Sequence, residues 1–211
     1  MITLDIISDP ICPWCYIGKV QLDRALAATP DHPFDLFWRP FQLNPDMPRG
    51  GMDRAAYLER KFGGKDGAAK VYGAIAAAAA EAGLTIDFAK IARTPNTLDA
   101  HRLIRWARLE GVQNKVVDEL FRRNFEDGED ISAPSVLCAA AASAGMDPDA
   151  VQKLLFSEED LDEVKAEDAQ AREMGVSGVP TFIVDEQYAL QGAQTPQVWA
   201  QVIAELDAAE G

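Results

Sequence analysis

Two cysteines separated by two residues are the strongest chemical feature of this sequence. Cys12 and Cys15 flank Pro13 and Trp14, and they follow the β-branched run 2–7 and its Ser-Asp-Pro turn. Pro13 suits the first turn of a helix, and apolar residues continue at helical spacing beyond it. We therefore expect the cysteine pair to open a helix that follows a buried strand.

Cysteines in this position favour disulfide exchange. Two residues three apart lie on the same side of the first helical turn, so a disulfide can close between them with little backbone movement. The free N–H groups and the helix dipole stabilise an anion, which makes Cys12 the expected nucleophile. Cys15, one turn further in, is the expected resolving thiol that attacks the mixed disulfide and releases the substrate.

The sequence disfavours two other interpretations of the cysteine pair. A zinc site needs a second pair of ligands, and the chain offers only His32, His101 and the isolated Cys138. Two ordinary core cysteines would not favour an intervening Pro-Trp directly after a strand and a turn. Cys138 itself lies in an apolar helical segment and is interpreted as a small buried hydrophobe, with a regulatory thiol as the alternative.

A proline at the entrance to a late strand is the second feature of interest. Pro180 follows Val179 and precedes the β-branched run 181–184, a common position for an ordinary proline. If this strand lies beside the first one, Pro180 comes close to the cysteines. A cis Val179–Pro180 bond would then expose the Val179 backbone to an extended substrate, and the sequence is compatible with either isomer.

The elements that position these residues alternate in type along the chain. The sequence predicts strands at 2–7, 34–41, 181–184 and 188–190, with the second parallel to the first. It predicts helices at 13–29, 52–62, 66–82, 97–110, 115–125, 134–144, 148–156, 158–174 and 195–208. No strand is expected in the roughly one hundred residues that follow Gly50-Gly51.

Composition limits the classes of partner. The 211 residues, 48% hydrophobic and 26% charged, are typical of one ordinary folded core. Acidic residues outnumber basic ones by 34 to 20, giving a formal charge of −14 that disfavours nucleic acid and anionic membranes as partners.

The N-terminal segment has no basic region and only a short apolar run, so we expect a cytoplasmic protein. The acidic segments 126–130 and 158–160 lack the ligand spacing of a calcium loop.

Five blocks of residues carry a resemblance to a known family. In order they are Ser8 to Lys19, Pro40 to Pro48, Asn96 to Leu103, Gly178 to Phe182 and Gly192 to Gln194. Together they resemble the DsbA-type thioredoxin-like oxidoreductases of the FrnE subgroup, over residues 3–206.

The resemblance implies an α/β, thioredoxin-like fold with a helical insertion after the second strand. Residues 1–50 and 157–211 would form the thioredoxin-like domain, and residues 51–156 the helical insertion. It also implies a cis proline at Pro180 beside the cysteines. The implied activity is thiol–disulfide exchange with protein or small-molecule thiols and disulfides.

Related enzymes suggest alternatives. Kappa-class glutathione transferases and 2-hydroxychromene-2-carboxylate isomerases share this architecture, but they generally carry serine where this chain has Cys12. They also tend to hold glutathione with a Ser-Asp pair where this chain has Ala193-Gln194. We therefore expect no bound cofactor, with glutathione as a candidate co-substrate. Trp14 stands where periplasmic members often have histidine, so no strongly oxidising potential is predicted.

The sequence leaves two further functions open. One is a glutathione-dependent isomerase or transferase acting on an aromatic or polyketide-like molecule, with Trp14, Trp38 and Phe41 lining the groove. The other is a non-enzymatic holdase whose groove grips extended peptides.

Several residues are candidate substrate contacts besides the catalytic set of Cys12, Cys15 and Pro180. They are Pro13, Trp14, Val179, Phe41, Gln42 and His101. Packing or turn formation explains Phe41 equally well, and a buried histidine on a helix face explains His101. Trp199 and the alanine-rich helix faces fit either a homodimer interface or the core of one chain.

Overall fold

A computed structural model describes residues 1–209, apart from the side chains of Lys65 and Ala209. The strands are β1 (Ile2–Ser8), β2 (Phe34–Pro40), β3 (Met52–Asp53), β4 (Arg93–Thr94), β5 (Thr181–Val184) and β6 (Tyr188–Gln191). The α-helices are α1 (Pro13–Ala28), α2 (Arg54–Phe62), α3 (Lys65–Glu81), α4 (Leu98–Leu109), α5 (Gln113–Arg122), α6 (Pro134–Ala144), α7 (Pro148–Leu155), α8 (Leu161–Glu173) and α9 (Pro196–Ala209).

Four strands form the central sheet in the order β2-β1-β5-β6. β2 runs parallel to β1, as predicted, whereas β5 pairs antiparallel with β1 and β6 antiparallel with β5. The register places Ile7 opposite Thr181. The residues just before β5 therefore lie next to the end of β1, where the cysteine motif follows.

Side chains of β1 are buried on both faces of the sheet. Leu4 and Ile6 belong to the main core, whereas Ile7 packs with Phe41 in a smaller cluster on the other face. In the main core, the ring of Trp199 meets Phe182 edge to face at 4.8 Å between centroids. Trp199 is fully buried within one chain, so packing accounts for it without a dimer interface.

The helices α2 to α7 lie between β2 and α8 in the chain, as the helical segment predicted from the sequence. Phe121 of α5 stacks on Tyr16 of α1 with 5.1 Å between ring centroids. Phe125 stacks on the same tyrosine at 5.9 Å. These aromatic contacts fix the helical segment against the helix that carries the cysteines.

The prediction that this segment contains no strand was wrong in one place. β3 and β4 form a two-residue antiparallel ladder, with Met52 opposite Thr94. Just before β3, Gly51 has a φ of +68°, and a Cβ there would lie 2.6 Å from the Thr94 carbonyl oxygen. Only glycine permits this approach, and two-residue strands are too short to show periodicity in sequence.

α5 continues into a π-helical turn at Arg123–Asp127, where the sequence indicated one uninterrupted helix. Gly128 ends the turn with a φ of +73°. Such turns are rare in proteins, and those that occur often lie at functional sites. Here the turn carries Asn124 and Phe125, which line the cavity described below.

Two kinds of feature were not found in the part of the chain that the structure describes. No helix there is long and apolar enough to cross a membrane. No group of three or more His, Cys, Asp or Glu side chains within that part could hold a metal ion.

Candidate functional site

The two cysteines lie at the junction between β1 and α1. Cys12 is the N-cap residue of α1 with an extended backbone, and its carbonyl oxygen accepts a hydrogen bond from the Cys15 N–H at 3.0 Å. Cys15 lies inside the first turn, as predicted. Both thiols are free and buried, with 4% of Cys12 and 1% of Cys15 exposed.

Cys12 meets the segment that precedes β5. Its thiol donates a hydrogen bond to the Val179 carbonyl oxygen at 3.5 Å between sulfur and oxygen. The Val179–Pro180 peptide bond is cis. Thr181 supports the turn because its hydroxyl donates to the Gly178 carbonyl oxygen at 2.8 Å. Residues that are remote in sequence thus meet at the reactive sulfur.

The environment of Cys15 favours its neutral thiol. Burial is the largest cause that raises the pKa of Cys15 well above its usual value, and the adjacent Cys12 adds to the increase. The Ser8 hydroxyl and the Asp9 backbone N–H act in the opposite direction. Before any reaction, Cys15 is therefore a protonated thiol, as suits a group that acts second.

A cavity of about 260 Å³ opens above Cys12. Pro13 and Trp14 line it from the cysteine motif, and Gly178 and Val179 line it from the segment before β5. Trp14 lies at the edge of this cavity and is 38% exposed, an unusual degree of exposure for so large an apolar side chain. The helical segment closes the opposite side with the aromatic side chains Tyr57, Phe62, Tyr72, Phe88 and Phe125.

Two basic residues of α2 also line this cavity. Arg54 and Lys61 stand seven residues apart, with Tyr57 between them, so all three lie on one face of α2. Neither basic residue was predicted from the sequence to belong to the site. The spacing Arg-x-x-Tyr-x-x-x-Lys is visible in the sequence, but only the packing of α2 over the cysteines gives it meaning.

Gly18 is a third residue whose role was not predicted from the sequence. It lies in α1 against the cis proline, and a Cβ at this position would stand 3.1 Å from Pro180 Cγ and 3.4 Å from the Ala193 backbone. The absent side chain lets α1 approach the Pro180 segment closely. Gly18 thereby helps to set the distance between the cysteines and Val179.

A buried carboxyl group ties two loops together behind the cysteines. Asp9 is fully buried and accepts hydrogen bonds from the Leu43 N–H at 2.7 Å and the Ile11 N–H at 3.4 Å. Burial raises the pKa of Asp9 to about 7, although these hydrogen bonds oppose the change. Asp9 therefore links the loop that carries Cys12 to the loop that leaves β2.

Three expected substrate contacts lie outside the cavity wall. Phe41 packs in the smaller cluster with the Arg172 guanidinium 4.1 Å from its ring centroid, and the Gln42 N–H donates to Asp168 Oδ1 at 2.7 Å. The next residue, Leu43, is the one that lines the cavity. His101 is buried with Nε2 3.8 Å from Asp9 Oδ1, and burial lowers the pKa of His101 to about 4.

Trp38 also lies away from the cavity, although the sequence suggested that it lines the groove. It is buried, and its indole Nε1–H donates to Asn114 Oδ1. Cys138 is half-buried, and burial raises the pKa of its thiol. It does not line the cavity above Cys12.

Comparison with known proteins agrees with this geometry. Residues 3–204 match the model of the DSBA-like thioredoxin domain. A probable DsbA oxidoreductase from Streptomyces coelicolor is 30% identical in sequence, with a TM-score of 0.84 over 97% of this chain and 89% of that one.

Two further solved structures share the fold at lower identity. A 2-hydroxychromene-2-carboxylate isomerase is 15% identical, with a TM-score of 0.74 over 99% of this chain and 97% of that one. The cytosolic disulfide reductase DsbM from Pseudomonas aeruginosa, solved with GSH, is 18% identical, with a TM-score of 0.71 over 97% and 98%. With the family model matched over nearly its whole length, the chain belongs to the DSBA-like thioredoxin domain family.

Proposed function

We propose that this protein is a thiol–disulfide oxidoreductase that uses Cys12 and Cys15 as its redox pair. The observation that carries the proposal is the position of Cys12, which caps α1, borders the cavity and donates to the Val179 carbonyl oxygen. The free N–H groups of a helix N-terminus stabilise a thiolate at that position.

In the reductive direction, the Cys12 thiolate attacks one sulfur of a substrate disulfide. A bond forms between Cys12 Sγ and that sulfur, the substrate S–S bond breaks, and the first thiolate leaves and takes up a proton. Cys15 then loses its proton and attacks Cys12 Sγ, which expels the second substrate thiolate. The substrate gains two electrons, and the protein is left with a Cys12–Cys15 disulfide that an external thiol reduces again.

The cis Pro180 segment is proposed to bind the substrate. The Val179 carbonyl oxygen, which the Cys12 thiol contacts in the free protein, lies where the backbone of an extended substrate could pair. Pro13 and Trp14 are proposed to contact the substrate from the other side of Cys12.

Glutathione is proposed as the external thiol or as one half of a mixed disulfide substrate, with no permanently bound cofactor. The DsbM structure with GSH supports this choice by likeness of fold.

We also propose the domain division expected from the sequence, with residues 51–156 as a helical insertion in the thioredoxin-like domain. The proposed location is the cytoplasm, where the cysteine pair would exchange with the glutathione pool.

A glutathione-dependent isomerase is the alternative function, and the fold of the 2-hydroxychromene-2-carboxylate isomerase favours it. Two cysteines in the motif are superfluous for such chemistry, because it needs neither a resolving thiol nor a redox change. Isomerase activity that survives replacement of Cys15 would support this alternative.

The direct test is catalysis of insulin disulfide reduction by single serine variants. We expect Cys12→Ser to reduce the rate to the uncatalysed background, whereas Cys15→Ser accumulates a mixed disulfide with its substrate. Cys138→Ser is the matched control, since that thiol lies outside the cavity, and it should retain wild-type activity. Equal activity of Cys12→Ser and Cys138→Ser would refute the proposal.

A further inference from the structure

The cavity above Cys12 differs in charge from the rest of the protein. The chain carries 34 acidic and 20 basic residues. Among the described residues that line the cavity, Arg54 and Lys61 are positively charged and none is acidic. An anion that enters this cavity therefore meets positive charge in an otherwise negative protein.

Neutral groups hold Arg54 in place. Its guanidinium donates to the Thr94 hydroxyl at 3.2 Å and to the Tyr72 hydroxyl. It also lies 5.4 Å from the ring centroid of Tyr72 and 5.6 Å from that of Tyr57. These contacts orient the guanidinium but leave its charge uncompensated.

Lys61 is held in a similar manner. Its ammonium group donates to the Tyr57 hydroxyl at 2.7 Å and to Asn44 Oδ1 at 3.5 Å. Within the described part of the chain, neither Lys61 nor Arg54 forms an ion pair, whereas nearby Arg49 and Arg93 pair with Asp99 and Asp130. What distinguishes these two cations is that both lack an ion pair and both line the cavity above Cys12.

An adjoining cavity of about 310 Å³ extends the same surface past Lys61. Among the described residues, its lining adds Arg60 as a further cation and Asp46 as the one acidic residue. Both cavities are too small for a folded protein but are close in size to typical small-molecule sites.

We propose that Arg54 and Lys61 form an anion subsite that selects small disulfides carrying a carboxylate near the sulfur–sulfur bond. The inference rests on the proposed function, because Cys12 must attack that bond. The aromatic side chains of the cavity would pack against the carbon skeleton of the substrate, while the two cations bind its carboxylate.

The test compares three symmetrical disulfides of similar length, those of mercaptopropionate, mercaptoethanol and cysteamine, which are anionic, neutral and cationic. The measured quantity is the ratio of kcat/KM for the anionic and the neutral disulfide, which is insensitive to partial misfolding. We expect Arg54→Gln with Lys61→Gln to lower this ratio about fivefold, the effect of removing two partly exposed charge contacts. Lys61→Gln alone, at an exposed residue, should lower it in the same direction by a smaller factor.

The matched control removes the same charge elsewhere. Lys70 and Lys153 are exposed and do not line either cavity, so Lys70→Gln with Lys153→Gln should leave the ratio unchanged. Added salt should lower the wild-type ratio. A ratio that is equal in both double variants would overturn the anion subsite while leaving the oxidoreductase proposal intact. Failure of the wild-type protein to reduce any of the three disulfides would instead overturn both.

Discussion

The Cys12 thiol donates to the Val179 carbonyl oxygen across 3.5 Å, although the two residues stand 167 positions apart. Strand pairing produces this contact, because Ile7 near the end of β1 lies opposite Thr181 at the start of β5. The pairing of β1 with β5 therefore brings together the two segments that carry the cysteine and the carbonyl group.

Enlarging Gly18 should disturb this contact. In Gly18→Ala the new Cβ would press on Pro180 Cγ at 3.1 Å and on the backbone of Ala193, so either α1 or the Pro180 segment must move. Overpacking costs about 1–3 kcal/mol, and the higher helix propensity of alanine offsets about 0.5–1 kcal/mol of that cost. We therefore expect a net loss of at most about 2.5 kcal/mol in the free energy of unfolding, together with slower disulfide reduction. Urea denaturation and the insulin assay measure the two effects.

Gly73→Ala is the matched control for this substitution. Gly73 also lies within a helix, α3, but a Cβ there meets nothing within 4 Å. Because alanine favours a helix over glycine, this variant should be more stable than wild type by about 0.5–1 kcal/mol. If Gly18→Ala were as stable and as active as Gly73→Ala, the close packing of Gly18 on Pro180 would contribute neither to stability nor to disulfide reduction.

The two thiols of the reduced protein should differ in reactivity. Cys15 is almost fully buried, and burial raises its pKa, so little thiolate is present there near neutral pH. With Cys138→Ser as background, iodoacetamide should modify Cys12 first, as located by mass spectrometry. In the Cys12→Ser form of that background, Cys15 should react slowly, and fast alkylation there would contradict its role as the second thiol.

Asp9 should make the stability of the protein depend on pH. Its pKa rises from an ordinary 3.8 to about 7 in the folded state, so the folded protein binds its proton more tightly than the unfolded chain. The resulting stability is fully present below the ordinary pKa and is lost as the pH rises through about 7. Asp9→Asn cannot titrate, so the stability of this variant relative to wild type should improve by about 3 kcal/mol between about pH 5 and pH 8.

Urea denaturation at the two pH values measures this change. The asparagine amide replaces one acceptor oxygen that faces the Leu43 or Ile11 N–H, so only the pH dependence, and not the absolute stability, is the test. Asp162→Asn is the control, since that side chain is 94% exposed. Wild type and Asp9→Asn that differ by a constant amount at both pH values would argue against a titrating Asp9.

The sequence predicted best those elements whose ends carry strong local signals. α6 begins at Pro134, because the missing N–H of proline costs nothing in the first turn of a helix. It ends before Gly145, whose φ of +99° is one that glycine readily adopts. Both ends of α6 were therefore predicted at the right residue. α8 was expected from 158 but begins at Leu161. Asp160 adopts a φ of +57°, and Ser157 Oγ accepts from the Glu159 N–H in a turn.

The residues of the candidate site likewise fall into those that the sequence predicted and those that it did not. The cysteines and Pro180 stand in motifs that single residues define, and strand order then brings them together. Arg54, Lys61 and Gly18 could not be chosen from sequence, because their importance depends on which helix packs over the cysteines. Leu43, and not Phe41 or Gln42, lines the cavity, since the direction of a side chain after a strand ends follows no simple period.

The redox equilibrium of Cys12 and Cys15 against a graded glutathione buffer tests the central claim most directly. The measurement uses the Cys138→Ser protein, with tryptophan fluorescence, to which Trp14 between the cysteines contributes, and the mass added by alkylation as two independent readouts. We predict one reversible two-electron transition that disappears in Cys12→Ser. Two thiols that stay free at every ratio of oxidised to reduced glutathione would contradict a working dithiol.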